Sequence, residues 1–452
     1  MFAANAIAKS KVAVVGGGWA GCAAAVELAK NGYPVTLLES TRTLGGRARG
    51  VELDGHMLDN GQHILLGAYR DSLALMRTVG IDTDEVLLRL PLQMRYPPGS
   101  GGMDFIAPRL PAPLHMLIAL LRSSGLTRAD KMALARFSTT ARWMEWRMHQ
   151  DCSVSELLER FDQTENLSRL MWRPLCLAAL NTPPERASAQ VFLNVLRDSL
   201  GARRAASDML LPRVNLTELF PQHAARFIEQ YQGQIRTGAN VSAIARNDSG
   251  WRLTVSGGKA FALDVDCVVL ATPVSHTAAL LDGVLDVSGL QGFTYEPITT
   301  CYLRYARELR LHMPFYALVD DAPAGDWGQF VFDRGQLDAS QAGILSVVVS
   351  AASAAVELDQ HSLTDAIAAQ LARQLQMPQL GQPTWSKVIS EKRATFSCTP
   401  GFIRPANATG LAGLAIAGDY THSDYPATLE AAVRSGLAAA RHIIEPAVDA
   451  EL

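Results

Sequence analysis

The sequence has no excess of positive charge: 41 Lys and Arg residues face 44 Asp and Glu, a formal charge of −3. Binding to a phosphate backbone needs a basic surplus, so nucleic acid is excluded as an expected partner. Cysteine is scarce. The six present (Cys22, Cys152, Cys176, Cys267, Cys301 and Cys398) are scattered and form no CxxC pair, which leaves neither a metal cage nor a disulfide framework and fits reduced thiols. No apolar stretch reaches the roughly 18 residues that a spanning helix needs. The start, MFAANAIAKSKVAVV, lacks the apolar block and cleavage site of a secretory signal. A cytoplasmic protein is expected, with peripheral contact on the inner face of the cytoplasmic membrane as the one departure considered. Internal repeats and low-complexity tracts are missing too.

What remains is a chain of 452 residues with 48% hydrophobic side chains, enough for a large core and for two or three domains of roughly 100–200 residues each. Its most informative segment comes first. The β-branched run Val12 to Val15 leads into Gly16-Gly17-Gly18-Trp19-Ala20-Gly21 and an alanine-rich helix to about Lys30. Asn31-Gly32 ends that helix, and Pro34 to Leu38 reads as a second strand closing on Glu39. Strand, glycine turn, helix, strand and acid make a dinucleotide-binding βαβ unit. In Gly16-x-Gly18-x-x-Gly21 the glycines bring backbone close to a pyrophosphate on the positive end of the helix, beside Trp19 and Ala20. Glu39, followed by Ser40, is placed to accept hydrogen bonds from a ribose, and an acid there disfavours a 2′-phosphate.

Val51–Leu53 and His56–Leu58 flank the turn pair Asp54-Gly55, a hairpin that delivers Asp59, Asn60, Gly61, Gln62 and His63 beside the first unit. Helical patterns cover Leu114–Leu121, Arg128–His149, Ser155–Arg160, the stretch around Met171–Cys176, and Val191–Leu200. Strands follow at Gln234–Arg236, Asn240–Ala245, Trp251–Val255, Phe261–Leu263 and Cys267–Leu270. A second sheet is expected from Tyr295–Tyr305, Gln329–Asp333 and Ile344–Val349, with a helix over Ser362–Gln374. The chain closes with a strand at Leu414–Ala417 and a helix from about Ala427 to Ile444. A nucleotide-binding domain built from three separated pieces, with a substrate domain inserted between them, is the expected architecture.

Leu44-Gly45-Gly46-Arg47 follows Glu39 closely, and Ala417-Gly418-Asp419 precedes the Pro426-Ala427-Thr428-Leu429-Glu430-Ala431-Ala432 helix start. Together with the glycine turn, these motifs resemble the flavin amine oxidase and phytoene desaturase superfamily. That resemblance implies an α/β fold: a Rossmann-like FAD-binding domain, with a hairpin and meander insertion, and an inserted α+β substrate domain. FAD-binding pieces are expected at 1–80, 213–290 and 395–452, and substrate-domain pieces at 81–212 and 291–394. By resemblance, Gly16, Gly18 and Gly21 meet the pyrophosphate of FAD, Glu39 the ribose and Arg42 the adenosine portion. Gly45, Gly46 and Arg47 approach the phosphates and flavin, with Gln62 nearby. Val241 meets adenine, and Gly418 and Asp419 hold the ribityl or pyrophosphate region. The last helix adds a physical reason of its own: its N-terminus, near Thr428 and Leu429, presents backbone N–H groups and about half a positive charge, which stabilises an anionic reduced flavin if it faces the ring.

Leu58-Asp59-Asn60-Gly61-Gln62-His63, Trp172-Arg173-Pro174-Leu175-Cys176 and Pro212-Arg213-Val214-Asn215-Leu216 narrow the resemblance to the bacterial hydroxysqualene dehydroxylases. What that family implies is reductive dehydroxylation of a long apolar isoprenoid, hydroxysqualene, to squalene, with a reductant of FAD that the sequence does not name. Such chemistry needs an apolar tunnel, a proton donor for the departing oxygen and a dry pocket. Candidate donors are Asp59, His63, Tyr420, His422 and Asp424, each with a structural alternative: Asp59 pairing with Arg47, His63 as a core histidine, His422 or Asp424 capping the last helix. A carotenoid desaturase or amine oxidase keeps the flavin with another substrate, and a non-catalytic lipid or prenyl carrier on the same fold stands as the alternative from another class. The apolar stretch Pro113 to Arg122 reads as a buried core helix, or else as a segment that dips into a membrane face. Trp143, Met144, Trp146 and Met148 are expected to line the interior, and Arg203-Arg204, near Arg197 and Arg213, to form a solvated face.

Overall fold

The computed structural model describes residues 9–257 and 260–445; the first eight residues, part of the segment read above as lacking a leader, lie outside the described residues. Five strands form an all-parallel sheet in the order Gln234–Thr237, Val35–Glu39, Val12–Val15, Cys267–Leu270, Leu414–Ile416. Val12–Val15 is buried at every position, as expected of a central parallel strand covered on both faces. Helices Trp19–Lys30 and Leu429–Ile444 lie against each other, and a Cβ on Gly436 would come within 2.1 Å of the Ala20 carbonyl oxygen. Only a glycine there, facing the small side chains of the first helix, allows so close an approach.

A second, antiparallel sheet runs Phe315–Ala317, Phe330–Asp333, Ile344–Val349, Tyr295–Arg304, Trp385–Phe396. Helix Gln360–Gln374 buries Leu363, Ile367 and Leu371 against Leu303, Val331 and Val347 of this sheet. A three-stranded meander comprises Asn240–Asn247, Gly250–Ser256 and Phe261–Val265. Near the start of the chain, Gly50–Leu53 and His56–Asp59 pair as a hairpin whose turn residues Asp54 and Gly55 have φ of 51° and 76°. A small sheet joins Leu65–Leu66 and Leu87–Leu90 through Met209–Pro212, so the first stretch of chain and the helical region after it are tied by backbone hydrogen bonds.

Several local expectations are corrected. The helix expected over Arg128–His149 ends at Trp143, because Glu145 and Trp146 adopt left-handed φ of 53° and 60°, which the α-helix cannot continue through. Helix Leu114–Arg122 is only half buried, with three leucines turned outward. Trp143 is 84% exposed rather than interior. Half of the arginine group is paired, Arg204 with Asp208 and Arg197 with Asp198 and Asp424, while Arg203 and Arg213 are exposed as expected. Strand Trp385–Phe396 escaped the sequence reading, since it is a sheet edge carrying Lys387, Glu391, Lys392 and Arg393 in place of an apolar alternation.

Candidate active site

At the end of Val12–Val15 the chain reverses at Gly16, whose φ of +102° and a Cβ that would sit 2.5 Å from the Ala271 oxygen both require glycine. Gly21 serves helix–strand packing, because a Cβ there would come 1.8 Å from the Gly16 oxygen. Gly18 differs: an added Cβ meets only the Gly46 Cα, at 3.9 Å. The Gly45 N–H donates to the Gly17 carbonyl at 2.8 Å, and Gly45 and Gly46 take φ of +115° and +60°. Two glycine loops thus face each other across a cradle that side chains would fill, at the N-terminus of a 12-residue helix. Backbone N–H groups and the helix dipole suit that cradle to a pyrophosphate.

Glu39 is 7% exposed, and its carboxylate organises the turn. Oε2 accepts from the Gly17 N–H at 2.7 Å, and Oε1 from the N–H and hydroxyl of Thr41 and from the Ser40 hydroxyl. A carboxylate has about four acceptor sites, so Oε2 keeps capacity for a ligand. The Ala239 N–H donates to the Glu39 carbonyl at 2.8 Å, which brings Val241, 2% exposed, to the same end of the groove. Arg42 is exposed and does not line the groove, whereas Arg49 does.

Further along, Arg47 donates from Nη1 to the Ala394 carbonyl at 2.8 Å and from Nη2 to Asp419 Oδ1 at 2.6 Å. Asp419 holds the Arg47 guanidinium above its ordinary pKa. The last helix starts at Leu429, later than Ala427, with Thr428 as its N-cap: Thr428 Oγ1 accepts from the Ala431 N–H at 3.1 Å. Glu430, wholly buried, turns away to accept from the N–H groups of Asp71 and Ser72 and the Ser72 hydroxyl.

One cavity of about 790 Å³ connects these groups. Gly16, Gly18, Trp19, Ala20, Glu39, Ser40 and Val241 line one end, and Gly45, Gly46, Arg47, Gln62, Gly418, Asp419, Thr428 and Leu429 line its middle. Beyond them the walls become apolar, with Leu92, Met94, Phe105, Met116, Phe137, Trp172, Phe192, Phe330 and Phe332. Residues 19–444 match the family of flavin containing amine oxidoreductases. The chain belongs to that family. It is therefore an FAD-dependent oxidoreductase, and the glycine cradle, Glu39 and the Arg47–Asp419 pair are suited to an extended dinucleotide. A hydroxysqualene dehydroxylase of Rhodopseudomonas palustris is 28% identical over 95% of this chain and 97% of its own. A probable zeta-carotene desaturase of Synechococcus elongatus is 23% identical over 96% and 98%. The cyclohexylamine oxidase of Brevibacterium oxydans shares the fold, with a TM-score of 0.68 at 16% identity over 97% of this chain and 99% of that one.

The five candidate proton donors of this flavoenzyme separate in space. Tyr420 and His63 line the cavity. Burial drives the Tyr420 phenol pKa far up, and its hydroxyl lies 3.0 Å from Thr277 Oγ1, itself 2.8 Å from the cavity-lining Thr272 Oγ1. Burial pushes the His63 imidazole pKa down, and Nδ1–H donates to the Gly61 carbonyl at 2.8 Å, leaving Nε2 as an acceptor. Asp59 does not line the cavity. Its Oδ1 accepts from the Leu216 N–H at 2.8 Å and its Oδ2 lies 3.5 Å from Arg334, which replaces Arg47 as its partner. His422 is exposed beside a separate surface cleft, and Asp424 is exposed, 3.6 Å from Arg197. Neither caps the last helix. Arg334, 1% exposed and bonded to Gln62 Oε1 at 2.8 Å, lies in no motif, so only the folded chain reveals that it holds Gln62 in the wall.

Proposed function

We propose that the protein reductively dehydroxylates a hydroxysqualene-type allylic alcohol to its hydrocarbon, squalene. The observation that carries this reading is the single cavity in which the dinucleotide end, through Arg47 and Asp419, continues into a chamber walled by Leu, Met, Phe and Trp side chains. An isoprenoid is recognised by apolar area, with few polar groups to set its position. Likeness to the named dehydroxylase over nearly the whole chain supports the choice.

Bound and reduced, FAD supplies the hydride that replaces the lost hydroxyl. Gly16, Gly18, Gly45, Gly46, Glu39, Arg47, Val241, Gly418 and Asp419 hold the cofactor, and Thr428 and Leu429 present the last helix's N-terminus to it. The apolar chamber keeps bulk water from an allylic cation formed when the hydroxyl departs. Tyr420 gives its proton to the departing oxygen, so that water leaves; the hydrogen bond to Thr277 eases the charge left on the phenolate, against the burial that otherwise holds the proton, and Thr277 and Thr272 return a proton to it. Gln62, fixed by Arg334, Ser346 and the His63 carbonyl, shapes the cavity wall. The described residues of 1–80, 213–290 and 395–452 form the flavin-binding part, and those of 81–212 and 291–394 the substrate part.

The apolar chamber also suits a polyene, and likeness to a zeta-carotene desaturase makes desaturation the second reading. The discriminating experiment incubates the reduced protein without oxygen with hydroxysqualene and, separately, the oxidised protein with phytoene or zeta-carotene. Squalene in the first tube supports dehydroxylation; new conjugation in the second without squalene in the first replaces it with desaturation.

A further inference from the structure

Among the described residues, large exposed apolar side chains concentrate on two consecutive helices. On Leu114–Arg122, Leu114, Leu117 and Leu121 are 50%, 50% and 62% exposed, three and four residues apart and so on one face. On Arg128–Trp143, Met132 and Trp143 are 66% and 84% exposed. The helices are tied where they meet, since Lys131 Nζ donates to the carbonyls of Leu121 and Ser123 at 3.0 and 2.8 Å. Between residues 106 and 147 there are seven Lys and Arg against two acids, Asp130 and Glu145, and Asp130 is buried as a helix cap. Arg109, Arg122, Arg128, Arg136 and Arg142 are exposed among the apolar side chains.

We propose that this surface docks on an anionic phospholipid bilayer, with the leucines and Trp143 in the acyl boundary and the arginines on lipid phosphates. A second copy of the chain is the poorer occupant, because a two-fold interface would set arginine against arginine with Glu145 as the one exposed acid of the segment to meet them. The inner sides of the same helices carry Met116, Leu134 and Phe137 in the cavity wall, and Arg142 both lines the cavity and is exposed. The docking face and the cavity wall are therefore two sides of the same helices, and an apolar substrate passes between lipid and chamber along them without crossing water. That last use rests on the isoprenoid reading above; docking itself does not.

The test is co-sedimentation of the full-length, FAD-loaded protein with substrate-free vesicles of phosphatidylcholine, and of phosphatidylcholine mixed with phosphatidylglycerol. Wild type is expected to partition onto the mixed vesicles and to release as salt rises. Leu114→Ser/Leu117→Ser/Leu121→Ser is expected to partition roughly tenfold less or weaker still, while keeping its flavin. Arg109→Glu/Arg122→Glu/Arg128→Glu, which spares every apolar side chain, should lose the preference for anionic vesicles. Wild type that stays in the supernatant, a leucine variant that sediments like wild type, or a dimer that the leucine variant dissolves overturns the proposal. Because the vesicles hold no substrate, failure here leaves dehydroxylation standing, and failure to form squalene from detergent-dispersed substrate leaves docking standing.

Discussion

Arg47 Nη2 donates to Asp419 Oδ1 at 2.6 Å across 372 residues of sequence. The pair joins the Gly-Gly-Arg loop to the end of the last parallel strand, and a charge-assisted bond of this kind holds both pieces where a dinucleotide must pass. Arg47→Ala removes it and leaves the nearly buried Asp419 carboxylate without its cation. The purified variant is expected to carry at least roughly tenfold less flavin than wild type, read from visible absorbance after gel filtration. A variant as yellow as wild type contradicts this role.

Gly18→Val and Gly21→Val separate cofactor binding from folding. A Cβ at position 18 meets open space, whereas one at position 21 comes 1.8 Å from a backbone oxygen. The first variant should fold, by circular dichroism, and be colourless; the second should be recovered poorly or unfolded. A flavin-loaded Gly18→Val protein would show that the pyrophosphate lies elsewhere.

Tyr420→Phe removes the phenolic proton and its bond to Thr277. The expectation is a fall in kcat of about 10²–10⁴ with flavin content retained and KM little changed. Thr277→Val, which cuts the hydroxyl chain behind it, should slow turnover less. An undiminished kcat in Tyr420→Phe removes that residue from the mechanism.

Asp59 gives a pH dependence with a definite sign. Burial raises its pKa from 3.8 to about 6, against the pull of Arg334. The folded state therefore holds this proton more tightly than the unfolded chain. Its contribution to stability is full below about pH 4 and is lost as pH rises through about 6. Thermal midpoints of wild type should fall over that interval relative to those of Asp59→Asn. A wild-type midpoint that rises relative to the variant would mean that Arg334 keeps Asp59 ionised.

The dinucleotide end was legible because its constraints are local. A glycine that must turn or approach backbone, and an acid at a strand tip, leave the same residues at the same spacing wherever the unit occurs. The place of Asp59, His422 and Asp424 was not legible, since adjacency in sequence carries no direction: the end of the hairpin turns Asp59 toward Arg334, while Gly61 to His63 reach the cavity. Arg49 lies in the wall where Arg42 was expected, a difference decided by the course of one loop. Helix Leu114–Arg122 looked like core because composition does not distinguish an apolar face turned inward from one turned outward. Strand Trp385–Phe396 was hidden by the charges that protect a sheet edge.

Whether the protein is a dehydroxylase is decided by product analysis after the FAD-loaded protein, reduced without oxygen, meets hydroxysqualene in detergent. Squalene should appear in step with return of the oxidised flavin spectrum, one molecule for each flavin reoxidised. Flavin that stays reduced over intact hydroxysqualene, in a protein that turns over a polyene or an amine instead, would contradict it.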